Sequence, residues 1–568
     1  MNRKNKSRRI CLMMLLAGSF LTGSFPVFSQ NPYDIAMTIY GDPTSKMAFN
    51  WYTDKDVSVN GKVQIVEGKT TDPADFSTPL KTIDATYVHR DNLRYYDSKN
   101  GSDFVSGSTK SYTEYKALAT GLTLGTTYSF RVGKAGAWSE IGSFTTAKGD
   151  KDAFSFIYTT DSQAQNKTHF NATESAVRAA DNRYPNVDFW LMCGDMVETW
   201  GYYSEWEWEQ FFAIQQDIFL NKPLAVVVGN HDAGTTQQYH PFGFVSHFNT
   251  ENNGLDKFRS NYSFVYGDAL FFALSFEEYY GNLTNLKKWM QQEINKYPDV
   301  KWRIVFSHRG VYTGGTNDDN SYSHQDEDKS LRDQWASVYD ELKINLLLQG
   351  HDHIYQVIGP IFNKQVVEDA ITDQTDVPVH ARENATGKWG GVYNTENGTL
   401  HFLNNSSGIK KYIPRSRAQM DAAISKHGVT NYFDLFTGRF GQTGNPTYSH
   451  VTVSSDKIVI STYEIDGSKN ETLFDEFTVV SGSLYTGIDN AASEKIEVYG
   501  SNRLIQVISG SSDPMREVRV YNMQGMLLHK EPMPFAGPLS IDRNWPTGAY
   551  VVKVISENKI DNAKLIIK

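Results

Sequence analysis

The alternation of apolar and polar positions changes character along the chain and divides it into three parts. Over 31–148, short runs alternate residue by residue, as in Lys46-Met47-Ala48-Phe49-Asn50-Trp51-Tyr52, and Gly, Asp and Asn turns separate them. A period of two predicts strands with one buried face, hence an all-β sandwich. A turn at Leu124-Gly125-Thr126 leads into the alternating Tyr128, Phe130 and Val132. That is the setting of a sandwich tyrosine corner, and Trp51 is the expected core tryptophan.

From 152 to 482 the texture differs. Continuous apolar runs at 154–160, 187–193, 224–228, 270–274, 302–306 and 344–348 read as buried strands. Helical periods at 173–180, 204–219, 286–297 and 331–342 lie between them. Glu205 and Glu207 suit a helix N-terminus. This alternation predicts an α/β layer fold that presents ligands at the carboxyl ends of its strands. Residues 360–445 are polar and rich in Asn, Gly and Thr, and read as an insertion over one edge. Beyond a boundary at 483–495, clean alternation at 517–522, 549–555 and 563–567 predicts a small C-terminal β-sandwich over 490–568.

Composition adds less. The 568 residues exceed a single core, and 40% hydrophobic with 21% charged residues is ordinary for globular domains. The net charge of −10, with no basic stripe beyond the N-terminus, argues against nucleic-acid backbone binding. Arg3, Lys4, Lys6, Arg8 and Arg9 precede an apolar run from Ile10 to Leu21, and Val27-Phe28-Ser29 ends it as a cleavage site would. Residues 1–29 therefore read as a signal peptide, giving an exported protein that is periplasmic, cell-surface or secreted, with no transmembrane segment in the mature chain. Of the two cysteines, Cys11 leaves with the signal, so Cys193 has no internal disulfide partner. It reads as an inert buried thiol.

The chemistry sits where the buried strands end. Asp161 and Gln163 follow the first run, Gly194-Asp195 the second, and Gly229-Asn230-His231-Asp232 the third. His308 follows the fifth and Gly350-His351-Asp352-His353 the sixth. Asp161, Gln163, Asp195, Asn230, His308, His351 and His353 are seven candidate ligands, carboxylate, amide and imidazole without thiolate. Such a set suits Zn, Mn, Fe or Co. One tetrahedral ion needs about four donors, so the set fits two ions sharing a carboxylate. The glycines before Asp195, Asn230 and His351 permit a sharp turn and close approach.

This ordered set resembles the calcineurin-like metallophosphoesterase superfamily. With Gly350-His351-Asp352-His353-Ile354-Tyr355 and a preceding fibronectin type III-like domain, it is most similar to the purple acid phosphatase branch. The resemblance implies a four-layer α/β/β/α sandwich. It implies that Asp161, Gln163, Asp195 and His353 hold one ion, and that Asp195, Asn230, His308 and His351 hold the other. The cofactors implied are two divalent or trivalent transition metal ions, Fe, Zn or Mn. The implied reaction is hydrolysis of small phosphate monoesters by a metal-bound hydroxide. His231 holds the phosphate or protonates the leaving oxygen, Asp232 orients it and raises its pKa, His324 reaches the leaving group and Tyr312 lines the pocket. Two positions depart from the pattern. Gln163 stands where the superfamily has His and the purple enzymes Gly, and Glu198 where the purple enzymes have a ligating tyrosine. Without that phenolate, neither purple colour nor an acid optimum is implied. A phosphodiesterase or nucleotidase on the same ions, or a catalytically impaired surface binding protein, stays open, as do natural substrate and oligomeric state. Val518 to Asn522 with Gly525, Pro546 to Val554 and Lys564–Lys568 resemble the sorting domain of Bacteroidetes-type secretion, which implies an export machinery as partner.

Overall fold

The computed structural model describes residues 31–567 apart from short internal stretches, the longest being 199–204, 278–283, 317–328, 378–386, 483–495 and 533–538. The N-terminal apolar segment and His324 lie outside the described residues.

Two large sheets form the centre. The first includes the parallel strands Phe154–Thr159, Phe189–Met192 and Leu224–Val226. The second is built on the parallel strands Ala269–Leu274, Trp302–Ser307 and Leu346–Gln349. Their facing sides interdigitate: Phe156, Phe189 and Leu191 from the first and Phe271, Ile304 and Leu346 from the second share one buried cluster. Because side chains alternate across a strand, Ile157 and Trp190 point the other way. There they pack under the helices Lys167–Arg183 and Glu205–Ala213. Leu270, Val305 and Leu347 do the same under Thr284–Lys296 and Lys329–Leu342. The result is an α/β/β/α stack. Both faces of each sheet are covered, which is why these strands read as unbroken apolar runs.

The N-terminal part is a sandwich. Tyr33–Thr38, Met47–Asp54, Ser108–Ala119 and Thr86–Tyr95 face a sheet built on Lys62–Glu67 and Thr127–Lys134. Trp51 is fully buried between them and stacks on Tyr115 at 5.3 Å. The Tyr128 hydroxyl accepts the Thr123 amide at 2.9 Å, closing the corner a few residues upstream. The sandwich is continuous with the central stack. Thr38 pairs in parallel with Leu224, so one twelve-stranded sheet runs from one into the other. Gln216 seals the joint, accepting from the Ile35 amide at 2.8 Å and donating to its carbonyl at 2.9 Å.

Residues 360–445 correct the sequence reading. They are not only an edge insertion: Thr399–Asn404 is an interior strand of the second sheet, between Leu346–Gln349 and Tyr355–Phe362, and every residue of it is buried. Its polar neighbours masked a single apolar run. At the other end, a three-stranded and a four-stranded sheet share a core of Ile505, Val507, Val518, Val520, Trp545, Val552 and Val554. Among the described residues no helix is long and apolar enough to cross a membrane.

Candidate metal centre

The ends of both parallel strand sets open onto the same edge of the stack, so residues far apart in sequence meet there. Asp161 and Gln163, Asp195, and Asn230 come from the first sheet; His308, and His351 with His353, come from the second. Five of them lie in the left-handed backbone region: Asp161 (φ 53°), Gln163 (40°), Asp195 (50°), His351 (75°) and His353 (41°). Each such residue costs about 1–2 kcal/mol, so the surrounding packing must enforce the conformation. The neighbouring glycines explain how the loops fit. A Cβ on Gly229 would sit 2.2 Å from Asp195 Oδ1, and one on Gly350 2.3 Å from Thr160 Oγ1.

All seven side chains are buried. The carboxylate and imidazole donors of five of them fall into two groups that share one carboxylate: Asp195 with His308 and His351, and Asp161 with Asp195 and His353. His308 Nδ1 faces the Cys193 carbonyl at 2.8 Å, while its Nε2 lies 3.0 Å from Asn230 Oδ1 and 3.1 Å from Asp195 Oδ2. Both ring nitrogens of His308 thus face oxygen acceptors; burial opposes a charge on the ring, but Asp195 outweighs it and raises the group to about 10. Burial likewise works against ionised Asp195, yet His308 and the His231 amide, 2.8 Å from Oδ1, hold it below the usual carboxylate range. His353 Nε2 approaches Asp161 Oδ1 at 3.1 Å in the second group. Gln163 Nε2 is 3.3 Å from Asp195 Oδ2, and its Oε1 is buried without a hydrogen-bond partner. Amide oxygen and nitrogen exchange by a flip of the group. The flipped amide would turn its oxygen inward as a neutral donor. Convergent oxygen and imidazole donors with an orphaned amide oxygen fit two transition-metal ions.

The remaining expected residues divide. His231 sits at the mouth, its side chain 13% exposed, with Nε2 3.9 Å from Asp195 Oδ2 and Nδ1 3.7 Å from Glu198 Oε2. Asp232 has a different task from the expected one. Its Oδ1 accepts the Met196 amide and its Oδ2 the Gly229 amide, both at 2.9 Å, which ties two ligand loops together. Nor is the His231 pKa raised. Burial lowers it, and the carboxylates that partly offset burial are Asp195 and Glu198. Tyr312 is fully buried against His401 and Tyr432 in the core beneath the second sheet, so it does not line the site. Cys193 is buried, and burial pushes its thiol up.

Sequence reasoning missed four contributors. Arg309 and Glu277 form a buried pair at 2.8 Å, and Arg309 Nη1 lies 2.9 Å from His351 Nε2. Tyr412 stacks on the His353 ring at 4.7 Å, and Lys410 bonds Glu198. Arg309 had a signal, a charge directly after His308 at a buried strand end. Lys410 and Tyr412 had none, since they arrive from the polar stretch beyond residue 400.

The calcineurin-like phosphoesterase family matches residues 154–355, and the purple acid phosphatase N-terminal domain matches residues 32–146. The serine/threonine-protein phosphatase CPPED1 of Rattus norvegicus is 29% identical over 192 residues, 32% of this chain and 58% of that protein. Acid phosphatase type 7 of Mus musculus is 21% identical over 44% of this chain and 53% of its own length. The chain thus spans a little over half the length of these curated relatives. Among solved structures, the purple acid phosphatase PPD1 of yellow lupin aligns with a TM-score of 0.58 at 13% identity, over 80% of this chain and 75% of that one. PhoD aligns at 0.50 and 12% identity, over 82% and 95%. These likenesses concern the fold. The chain therefore carries a calcineurin-like phosphoesterase domain behind a purple acid phosphatase N-terminal domain.

Proposed function

We propose that this chain is an exported two-metal hydrolase of small phosphate monoesters. The observation that carries the reading is the pair of buried donor groups meeting on Asp195 at the carboxyl ends of two sheets. The names of the relatives, a protein phosphatase and an acid phosphatase, support phosphate-ester chemistry. Asp161, Gln163, Asp195 and His353 would hold one ion, and Asp195, Asn230, His308 and His351 the other. When bound, two ions of the Fe, Zn or Mn kind supply Lewis acidity toward phosphate oxygens and acidify water at neutral pH.

The chain's own residues do the rest. The His231 amide on Asp195 fixes the start of the Asn230-His231 turn, so the partly exposed imidazole stands beside the shared carboxylate. There it holds a phosphate oxygen or delivers the proton that the departing oxygen takes up. Asp232 is a positioning residue, acting through the backbone of Met196 and Gly229. Glu198 in place of a tyrosine leaves no phenolate for an iron charge-transfer band. We read residues 1–29 as the export signal, the 32–146 sandwich as fibronectin type III-like, and 490–568 as a sorting domain.

The test is an assay of protein loaded with Mn, Zn or Fe on an aryl phosphate and a bis-aryl phosphate, with metal content measured alongside. Turnover of the monoester supports the proposal. Absence of turnover with every ion sinks it, and turnover of the diester alone replaces it with a diesterase. His231→Ala should lose activity with metal content unchanged; loss of metal would make His231 a ligand. Export is tested by sequencing the N-terminus of the protein recovered outside the cytoplasm.

A further inference from the structure

We propose that Lys410 selects a phosphate monoester dianion over a diester, with Glu198 as the residue that positions it. The inference rests on the phosphoesterase reading of the metal centre.

A line of charged and polar groups runs from the rim to the shared carboxylate. Lys410 Nζ bonds Glu198 Oε2, which lies 3.7 Å from His231 Nδ1, and His231 Nε2 lies 3.9 Å from Asp195 Oδ2. The loop that brings Lys410 is pinned on both sides of it. Before it, Ser406 Oγ donates to the Asp161 carbonyl at 2.7 Å and Ser407 Oγ to the Thr160 carbonyl at 2.8 Å. After it, Tyr412 stacks on His353, and Gln442 Nε2 donates to the carbonyls of His353 (2.7 Å) and Tyr412 (2.9 Å). Anchored to a ligand loop at each end, the loop holds Lys410 on Glu198 at the rim of the site, its side chain 32% exposed. A second cation close to the donors, Arg309, bonds Glu277 and His351.

The chemistry of the two ester classes then discriminates. A monoester dianion spreads two charges over three non-bridging oxygens, whereas a diester has one charge on two and an ester group in the third position. The additional charged oxygen calls for an additional cation. A lysine ammonium has three donors, so it can bond Glu198 and a phosphate oxygen together. Removing it deletes that contact and also leaves Glu198 unpaired beside an anion.

The experiment uses the full chain loaded with Mn or Zn. It reads kcat/KM on an aryl phosphate and a bis-aryl phosphate, and inorganic phosphate affinity by calorimetry. One charge-assisted contact corresponds to about 10- to 100-fold. Lys410→Met should lower monoester kcat/KM and phosphate affinity by that factor, and diester kcat/KM by less than about 3-fold. Metal content and melting temperature should stay at wild-type values, and Lys410→Arg should keep most of the selectivity. The double variant Lys410→Met, Glu198→Gln separates contact from neutralisation: it stays defective if Lys410 touches the phosphate. Equal losses on both esters, unchanged phosphate affinity, or full recovery in the double variant would overturn the proposal. A wild-type protein that turns over neither ester refutes the phosphoesterase reading, while the phosphate affinities of wild type and Lys410→Met still decide the role of the lysine.

Discussion

Asp195→Asn is the sharpest perturbation of the metal centre, because one side chain serves both donor groups. The amide keeps the shape, and its oxygen can still accept the His231 amide at 2.8 Å. The new NH2 replaces Oδ2, which faces His308 Nε2 at 3.1 Å and Gln163 Nε2 at 3.3 Å. The substitution therefore removes one charge from two ion sites and turns a donor toward two nitrogens. Contacts to a charged group are worth about 1.5–3 kcal/mol each, so each ion should bind roughly 10- to 150-fold more weakly. A hydrolase that needs both ions would then fall by the product, about 10²- to 10⁴-fold in kcat/KM at limiting metal. The assay is metal content per chain after dialysis, with zinc or manganese titration by calorimetry. Two ions per chain held with wild-type affinity in Asp195→Asn would refute the shared-carboxylate geometry. Loss of one ion with the other unaffected would reduce Asp195 to a ligand of a single site.

Three further outcomes are set by the packing. Gly229→Ala places a Cβ 2.2 Å from Asp195 Oδ1 and 2.3 Å from its backbone nitrogen, so it should cost about 3 kcal/mol or more and release metal; a wild-type melting temperature would contradict this. Trp51→Ala empties a fully buried site and should cost about 3–5 kcal/mol. Because one sheet spans the joint at Thr38 and Leu224, the sandwich and catalytic stack should still melt together, and a separate early transition in calorimetry would show the joint to be weak. His401 is fully buried and its imidazole is pushed down to about 3 by burial. A folded pKa below the unfolded 6.5 means its contribution is complete above that pH and lost as pH falls, about 3 kcal/mol being gone by about pH 4.5. Urea denaturation at the two pH values should show a smaller loss in His401→Leu, and an imidazole titrating near 6.5 by NMR would refute the assignment.

The sequence by itself carried the alternation of strands and helices and the seven candidate donors. Strands buried on both faces have no polar side, so their apolar runs and the polar residues that end them are visible locally. Glycines before Asp195, Asn230 and His351 marked where the backbone must turn tightly. What lay in the tertiary structure was everything set by meeting at a distance. Thr399–Asn404 entered a sheet interior out of a polar stretch, because six buried residues suffice when neighbours on both sides complete the ladder. Asp232, adjacent to His231 in sequence, turned instead to the amides of Met196 and Gly229, since a buried carboxylate goes where N–H groups satisfy it. Lys410 and Glu198 lie 212 positions apart, and only the pinning of the 406–412 loop on Asp161 and His353 brings that pair to the edge of the site. Ligand types are written in the order of residues along the chain; which of them share a charge is decided by the stacking of two sheets.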